Sequence, residues 1–363
     1  MPVRSETQKG PEEKGKTQML FRQLFDAESF TYTYLIASRA GGEAVIIDSV
    51  IGHLDQYLRL LEELDLKLVK VVDTHTHADH ITGMGVLRDR TKCVTVMGSE
   101  SAADVVSMRV RDGETIDIEG LSLDVIYTPG HTDDSYSFKL SDRVFTGDTL
   151  FIRGTGRTDF QNGDAVAQYD SIFNKLLCLP DETLVYPGHD YKGEMVSTII
   201  EERRHNPRLQ VANALEYAEI MNGLNLANPK MMDVAVPANK KIGAAQGEEV
   251  QAAWALSVDE VQNRCVSGDC VLVDLREEAE RCQDGVITGS VHAPYGELND
   301  FVREGGLLRE MADKADCRII FYCAYGERSA LAVQTSEGMG LKEVFHLVGG
   351  IDAWKASGRE INV

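Results

Sequence analysis

The sequence predicts a two-domain protein of the α/β class, and three observations carry that expectation. Its 363 residues suit two units at a prior of ~150 residues per domain. Residues 19–242 read as strands with helices between them, rich in strand in both halves. Residues 250–363 alternate strand and helix, the rhythm of a parallel sheet covered on both faces. Between them Pro237, Gly243, Gly247 and an Ala/Gln/Glu stretch break the pattern, which puts the boundary near 240–250.

Residues 1–18 read as a disordered leader. They lack an apolar core and carry Glu6, Glu12 and Glu13, so they fit neither a secretory signal nor an acid-poor transit peptide. FTYTYLIAS and EAVIIDS then read as strands around Gly41-Gly42. Leu54, Leu58, Leu61 and Leu64 recur at helical spacing, and LKLVKVVDT is the next strand. KCVTVMG, the hairpin ETIDIEGLSLDVIYTPG, SYSFKLS, RVFTGD and TLVYPGH supply more strands, with a helix at GDAVAQYDSIFNKLLCLP and a mostly helical region over 194–235. In the second domain CVLVDLR, GSVHAP, RIIFYC and EVFHLVGG read as strands between helices.

Hydrophobic residues at 43% and charged residues at 26% mark a globular chain. The net charge of −21 argues against nucleic-acid partners and anionic membrane surfaces, both of which need a basic face. No stretch approaches the ~20 apolar residues of a membrane span. Seven cysteines, odd in number, scattered and without a C-x-x-C pair, suggest reduced thiols in a cytoplasmic compartment.

VVDTHTHADHITG sets His75, His77, Asp79 and His80 directly after an apolar strand. His131 (YTPGHTDD), Asp148 (VFTGDTL) and His189 (YPGHDY) each follow a strand and a glycine. Strand ends gather at one edge of a sheet, so these residues can converge, and imidazole with carboxylate suits Zn, Fe or Mn. His53, His205 and His346 have no such context and read as structural.

This pattern resembles the metallo-β-lactamase superfamily over roughly residues 19–242, which implies an αββα sandwich with metal at the sheet edges. The ligand-type residues are common to glyoxalase II and persulfide dioxygenase. The segments LFIRGTGRTDFQNGD, YPGHDYKG, EERRHNPRL and AVPAN look like the dioxygenase. That resemblance implies one Fe(II) held by His75, His131 and Asp148, with His77, Asp79, His80 and His189 orienting the ligands; zinc is the alternative ion. It implies oxidation of glutathione persulfide by O2 to sulfite and glutathione, with Arg153, Arg157, Tyr191 and Lys241 as candidate contacts for glutathione. Arg157 with Asp159 also reads as an internal salt bridge. The alternative is a glyoxalase II-like dinuclear thioester hydrolase whose second domain hands persulfide to a protein partner.

In RIIFYCAYGERSALA, Cys323 stands between a strand and a helix, where the helix N-terminus and loop N–H groups favour thiolate. Gly326 permits the tight turn and Arg328 closes it. With VLVDLRE, GVITGSVHAPYGEL and LVGGIDAWKASG, residues 250–363 resemble the rhodanese sulfurtransferases. Cys323 is then the persulfide carrier, with Arg328 beside it and Asp274 and Arg276 as scaffold. Its C-x4-R loop is tighter than the C-x5-R of phosphatases. Glu327 places an anion next to the nucleophile, which argues for a persulfide over thiosulfate as donor. Cys93, Cys178, Cys265, Cys270, Cys282 and Cys317 read as buried structural thiols. The combined expectation is a bifunctional enzyme that also moves sulfane sulfur between thiosulfate or sulfite and glutathione; a homo-oligomer is compatible with it.

Overall fold

The computed structural model describes residues 19–103, 106–224, 226, 231–242, 254–315 and 318–362. The expected leader and the expected boundary near 240–250 lie largely outside the described residues.

The first six strands form one mixed sheet in chain order: β1 (Leu20–Phe25), β2 (Tyr32–Ala37), β3 (Glu43–Ile47), β4 (Lys67–Val72), β5 (Val94–Gly98) and β6 (Met108–Val110). Its first half is antiparallel and its second half parallel. The next six, β7 (Thr115–Ile118), β8 (Leu121–Tyr127), β9 (Tyr136–Lys139), β10 (Arg143–Gly147), β11 (Leu184–Pro187) and β12 (Ser197–Thr198), form the second sheet, antiparallel except for β10 with β11.

The two sheets face each other across a core that includes Tyr34, Val45, Val72, Val96, Val125, Phe138 and Phe145. α1 (Leu54–Glu63) and α2 (Met84–Thr91) cover the outer face of the first sheet. α3 (Ala165–Asp170), α4 (Ile199–His205) and α5 (Ala214–Asn222) cover the second. This is the αββα layering that the metallo-β-lactamase resemblance implies. On α1 only Leu61 of the expected stripe is fully buried; Leu54, Leu58 and Leu64 pack partly, and Tyr57 takes the deepest place. α6 (Met232–Asn239) brings the first unit back beside the loop after β4.

The third sheet is wholly parallel, in the order β13 (Ala255–Leu256), β17 (Val344–Leu347), β16 (Arg318–Tyr322), β14 (Cys270–Asp274) and β15 (Val291–His292). Helices α7 (Val258–Ser267), α8 (Glu278–Asp284), α9 (Leu298–Val302), α10 (Leu307–Ala315), α11 (Glu327–Gly338) and α12 (Gly350–Ala356) pack on both faces around separate cores. At the carboxyl end of β14, Asp274 accepts two bonds from the Arg276 guanidinium (2.9 and 2.7 Å) and one from Tyr322 Oη of β16 (2.7 Å). Asp274 and Arg276 are fully buried, which supports the scaffold role expected of them.

Removing one partner from such a pair leaves a buried charge uncompensated and costs about 3–5 kcal/mol. Both tryptophans of the chain, Trp254 and Trp354, belong to this unit. We expect Asp274→Ala to shift the tryptophan-fluorescence transition to markedly lower urea. An unshifted midpoint would deny the pair its structural role.

Candidate metal centre and sulfur-carrier loop

Four strand ends meet at one edge of the sandwich. β4 leads into His75–His80, and β8, β10 and β11 run up to His131, Asp148 and His189. Ligand atoms of His75, His131 and Asp148, all buried, lie within 4.8 Å of one another. Each of the three has its other polar atom tied down. Thr74 Oγ1 gives its proton to Asp48 (3.0 Å), so it accepts from His75 Nδ1 (2.9 Å) and leaves Nε2 as the ligand atom. His131 Nδ1 donates to the Arg157 carbonyl (2.7 Å), and its Nε2 stands 3.5 Å from Asp148 Oδ2. Asp148 Oδ1 accepts from His189 Nδ1 (2.6 Å). Such outer bonds set the tautomer and aim the ligand.

The electrostatics suit a cation. Burial, reinforced by His77, pushes the His75 pKa well below its usual value, so a neutral imidazole faces the centre. Burial opposes charge on Asp148, but His189, then His131 and His75, outweigh it and keep it ionised far below the usual carboxylate range. The chain must come very close here. A side chain at Gly156 would place Cβ 2.1 Å from the Asp148 carbonyl oxygen and 2.9 Å from His131 Nδ1.

The other four residues gather beside the triad. His189 lies between two carboxylates, Asp148 and Asp79 (Nε2 to Oδ2, 2.9 Å). Burial opposes its charge, yet the two anions hold its pKa well above the usual range. Asp79 also reaches His80 Nδ1 (2.9 Å), and Thr31 Oγ1 touches Asp79, His80 and His189 at 3.1 to 3.2 Å. His77 Nε2 faces Asp48 Oδ1 (3.2 Å); despite burial, Asp48 lifts the His77 pKa to about 9. Two further groups could hold an ion: His77 with Asp79 and His80, and Asp48 with Asp73 and His77. His77 Nδ1 and His80 Nε2 are buried with no hydrogen-bond partner among the described residues.

In the third sheet Cys323 leaves β16 and is wholly buried. The Gly326 N–H donates to its sulfur (3.1 Å), and Gly326, at φ +103°, caps α11. Ile351 N–H donates to the Cys323 carbonyl (2.9 Å), and any Cβ at Gly350 would lie 2.4 Å from that oxygen. Arg328 is buried and donates two hydrogen bonds to the Glu280 carboxylate (2.9 and 2.7 Å), and its Nη2 donates to the Ser107 carbonyl of the first unit (2.9 Å). Arg109 reaches Tyr325 Oη (3.3 Å) and lies over its ring. The loop is therefore covered by the segment around β6. The side chain of Glu327 lies outside the described residues.

The family model described as metallo-beta-lactamase superfamily matches residues 27–106 and 101–189. The rhodanese-like domain model matches residues 257–357. The mouse (Mus musculus) mitochondrial persulfide dioxygenase ETHE1 is 45% identical over 228 residues, covering 62% of this chain and 89% of that protein. The chain belongs to the persulfide dioxygenase family. The crystal structure of ETHE1 from Myxococcus xanthus shares 54% identity at a TM-score of 0.61, covering 62% of this chain and all of that one. A hydroxyacylglutathione hydrolase of Rhodopseudomonas palustris is 32% identical, covering 65% of this chain and 94% of that protein.

The substrate contacts that persulfide dioxygenase resemblance implies fare differently in the structure. Arg153 is bound inward: its guanidinium pairs with the fully buried Glu202, and its own N–H donates to Glu202 as well (2.8 Å). Arg153, a candidate glutathione contact, is thus engaged in an ion pair, on a left-handed backbone (φ +55°). Arg157 pairs with Asp159 (2.5 Å), the internal bridge foreseen for it. Tyr191 is 64% exposed, and its ring lies parallel to His189 at 6.1 Å. Lys241 is exposed, two residues past Asn239. Asn239 donates to the carbonyls of His77 and His80 (2.9 and 2.8 Å) and so pins the histidine loop.

Several supporting residues escaped the sequence. Asp48 follows an apolar strand, the same signal that marked Asp148, and could have been found; Thr31, Asn239 and Glu280 carry none. The reading of six cysteines as buried also needs correction. Cys93 is buried, but Cys178, Cys265 and Cys282, on helical segments, are exposed, and Cys270, at the start of β14, is half-buried. Cys317 lies outside the described residues.

Two tests follow the geometry. His77 is raised from 6.5 to about 9, so its pairing stabilises fully below pH 6.5 and is lost as pH climbs through 9. The chelator-treated protein should lose thermal stability over that window, and His77→Gln should flatten the slope; parallel curves would refute the pair. Removing the Tyr325 side chain (Tyr325→Ala) should speed alkylation of Cys323 several-fold, whereas an unchanged rate would mean that the contact does not guard the thiol.

Proposed function

We propose that the first unit oxidises glutathione persulfide with O2 and water to glutathione, sulfite and two protons at a single iron held by His75, His131 and Asp148. Bound Fe(II) would supply the redox chemistry with O2, and a set of three protein ligands leaves positions for a sulfur ligand and for O2. The observation that carries this reading is the triad itself: three buried ligand atoms face one point while their distal atoms are held by Thr74, Arg157 O and His189.

His189, Asp79 and Thr31 form a closed set of hydrogen bonds beside it, and the imidazolium offsets the two carboxylates that it joins. This supports an orienting role for His77, Asp79, His80 and His189. Tyr191 and Lys241, exposed near this edge, are the groups we assign to glutathione, with Arg153 as a positioning residue for loop 151–157. We take the domains as 19–242 and 250–363.

In the second unit we assign Cys323 to carry sulfane sulfur. Its thiolate takes that sulfur from glutathione persulfide and glutathione leaves, with sulfite then accepting it as thiosulfate, or the same two steps run in reverse from thiosulfate; Glu327 beside the nucleophile favours the persulfide as donor. The Gly326 N–H and the start of α11 support the thiolate. Arg328, paired with Glu280, shapes the loop. The two units would share glutathione persulfide. Its scattered, odd-numbered cysteines support a reducing, cytoplasmic setting, and no helix among the described residues is long and apolar enough to cross a membrane.

The group His77, Asp79 and His80, with the likeness to the hydrolase, keeps a dinuclear thioester hydrolase as the competing reading. Iron-loaded protein should consume O2 with glutathione persulfide and form sulfite. His131→Ala should cut this by more than ~100-fold, beyond the range of outer-shell changes. Cys323→Ser should keep O2 uptake and lose transfer from thiosulfate to glutathione. Hydrolysis of S-lactoylglutathione without O2 uptake would overturn the proposal in favour of the hydrolase.

A further inference from the structure

A second thiol site lies away from both centres. Cys265, in the last turn of α7, and Cys270, the first residue of β14, bring their sulfurs to 3.9 Å. The intervening chain reverses through Gly268 at φ +75°. A disulfide needs the sulfurs at about 2.05 Å, so closure takes a shift of about 2 Å at a helix end, where side-chain rotation and a loosened last turn supply it.

The pair is separate from Cys323. Cys270 opens β14 opposite Arg318 of β16, whereas Cys323 follows the far end of β16. Five strand residues at ~3.3 Å each set the two sites about 16 Å apart, on opposite edges of the sheet. Access also differs: Cys265 is exposed and Cys323 is wholly buried. A sulfur compound arriving from solution meets Cys265 first. The neighbouring Cys270 thiol lowers the Cys265 pKa to about 7, against the opposing effects of burial and Asp269, so much of it is nucleophilic thiolate at neutral pH.

We propose that Cys265 and Cys270 form a dithiol that is oxidised by organic persulfides or polysulfides. The Cys265 thiolate attacks the sulfane sulfur of R–S–SH; the S–S bond breaks, R–SH leaves, and Cys265 carries a persulfide. Cys270 then attacks the Cys265 Sγ, hydrosulfide leaves, and a Cys265–Cys270 disulfide remains. Two electrons pass from the two thiols to the sulfane sulfur, so one persulfide yields one thiol and one hydrogen sulfide. The site needs only a persulfide and does not depend on the iron reading.

The full-length protein, treated with glutathione persulfide under anaerobic conditions that silence O2 chemistry, then alkylated and peptide-mapped by mass spectrometry, tests it. We expect a Cys265–Cys270 linked peptide lighter by two hydrogens and release of hydrogen sulfide. Cys270→Ser should stop at Cys265 with one added sulfur atom, and Cys265→Ser should give neither product. The link should persist in Cys323→Ser. Full alkylation of both thiols in the wild type, a link to Cys282 or Cys317 instead, or loss of the link in Cys323→Ser would each overturn the proposal.

Discussion

The metal edge depends on one arrangement of charge: a histidine held between two carboxylates. His189 comes from the second sheet, Asp148 from the loop after β10, and Asp79 from the loop after β4 of the first sheet. The bond thus stitches both layers at the point where the ligands converge. Four acidic groups, Asp48, Asp73, Asp79 and Asp148, are packed there with five buried histidines, and all of the acids but Asp79 are buried too. Burying unpaired charges on that scale would cost far more than a domain's stability. Alternating acid and imidazole through His189, His77 and His80 makes the edge affordable to fold and leaves the triad's inner atoms pointing at one position.

Much of this edge was legible in the sequence, and the reason is geometric. A histidine or aspartate placed directly after a strand, or one turn residue beyond it, sits at a sheet edge whatever the rest of the fold does. His75, His131, Asp148 and His189 therefore came together as expected. The parallel third sheet followed from the change of strand rhythm, and the αββα layering from the metallo-β-lactamase resemblance. What stayed hidden was partner choice across long separations. The partner of Arg153 stayed unseen because nothing local names Glu202, 49 residues on. Asn239 pins a loop 162 residues earlier, and Arg328 finds Glu280 48 residues before it. Exposure of Cys265 was hidden too, since a lone apolar side chain on a short helix does not reveal which face turns outward.

The two units solve unlike problems with the same device of close backbone approach. At the metal, Gly156 lets a loop lie directly against His131 and Asp148. In the rhodanese-like unit, Gly350 lets the start of α12 lie against the Cys323 carbonyl. In both, the glycine gives up side-chain contacts so that backbone donors and acceptors can be aimed. The scaffold pair of Asp274 and Arg276 then anchors the neighbouring strand ends to Tyr322, immediately before the cysteine.

The cover over the Cys323 loop has a consequence for rate and affinity. The Arg328 bond to Ser107 and the Arg109 contact with Tyr325 join the Cys323 loop to the first unit, and Cys323 is wholly buried. A molecule that must reach Cys323 past this cover engages only the fraction of the protein in which the cover has opened. Its apparent dissociation constant is the intrinsic one divided by that fraction. For such a molecule, whatever loosens the segment around β6 tightens apparent binding at Cys323 without touching the cysteine, and by reciprocity its binding loosens that segment.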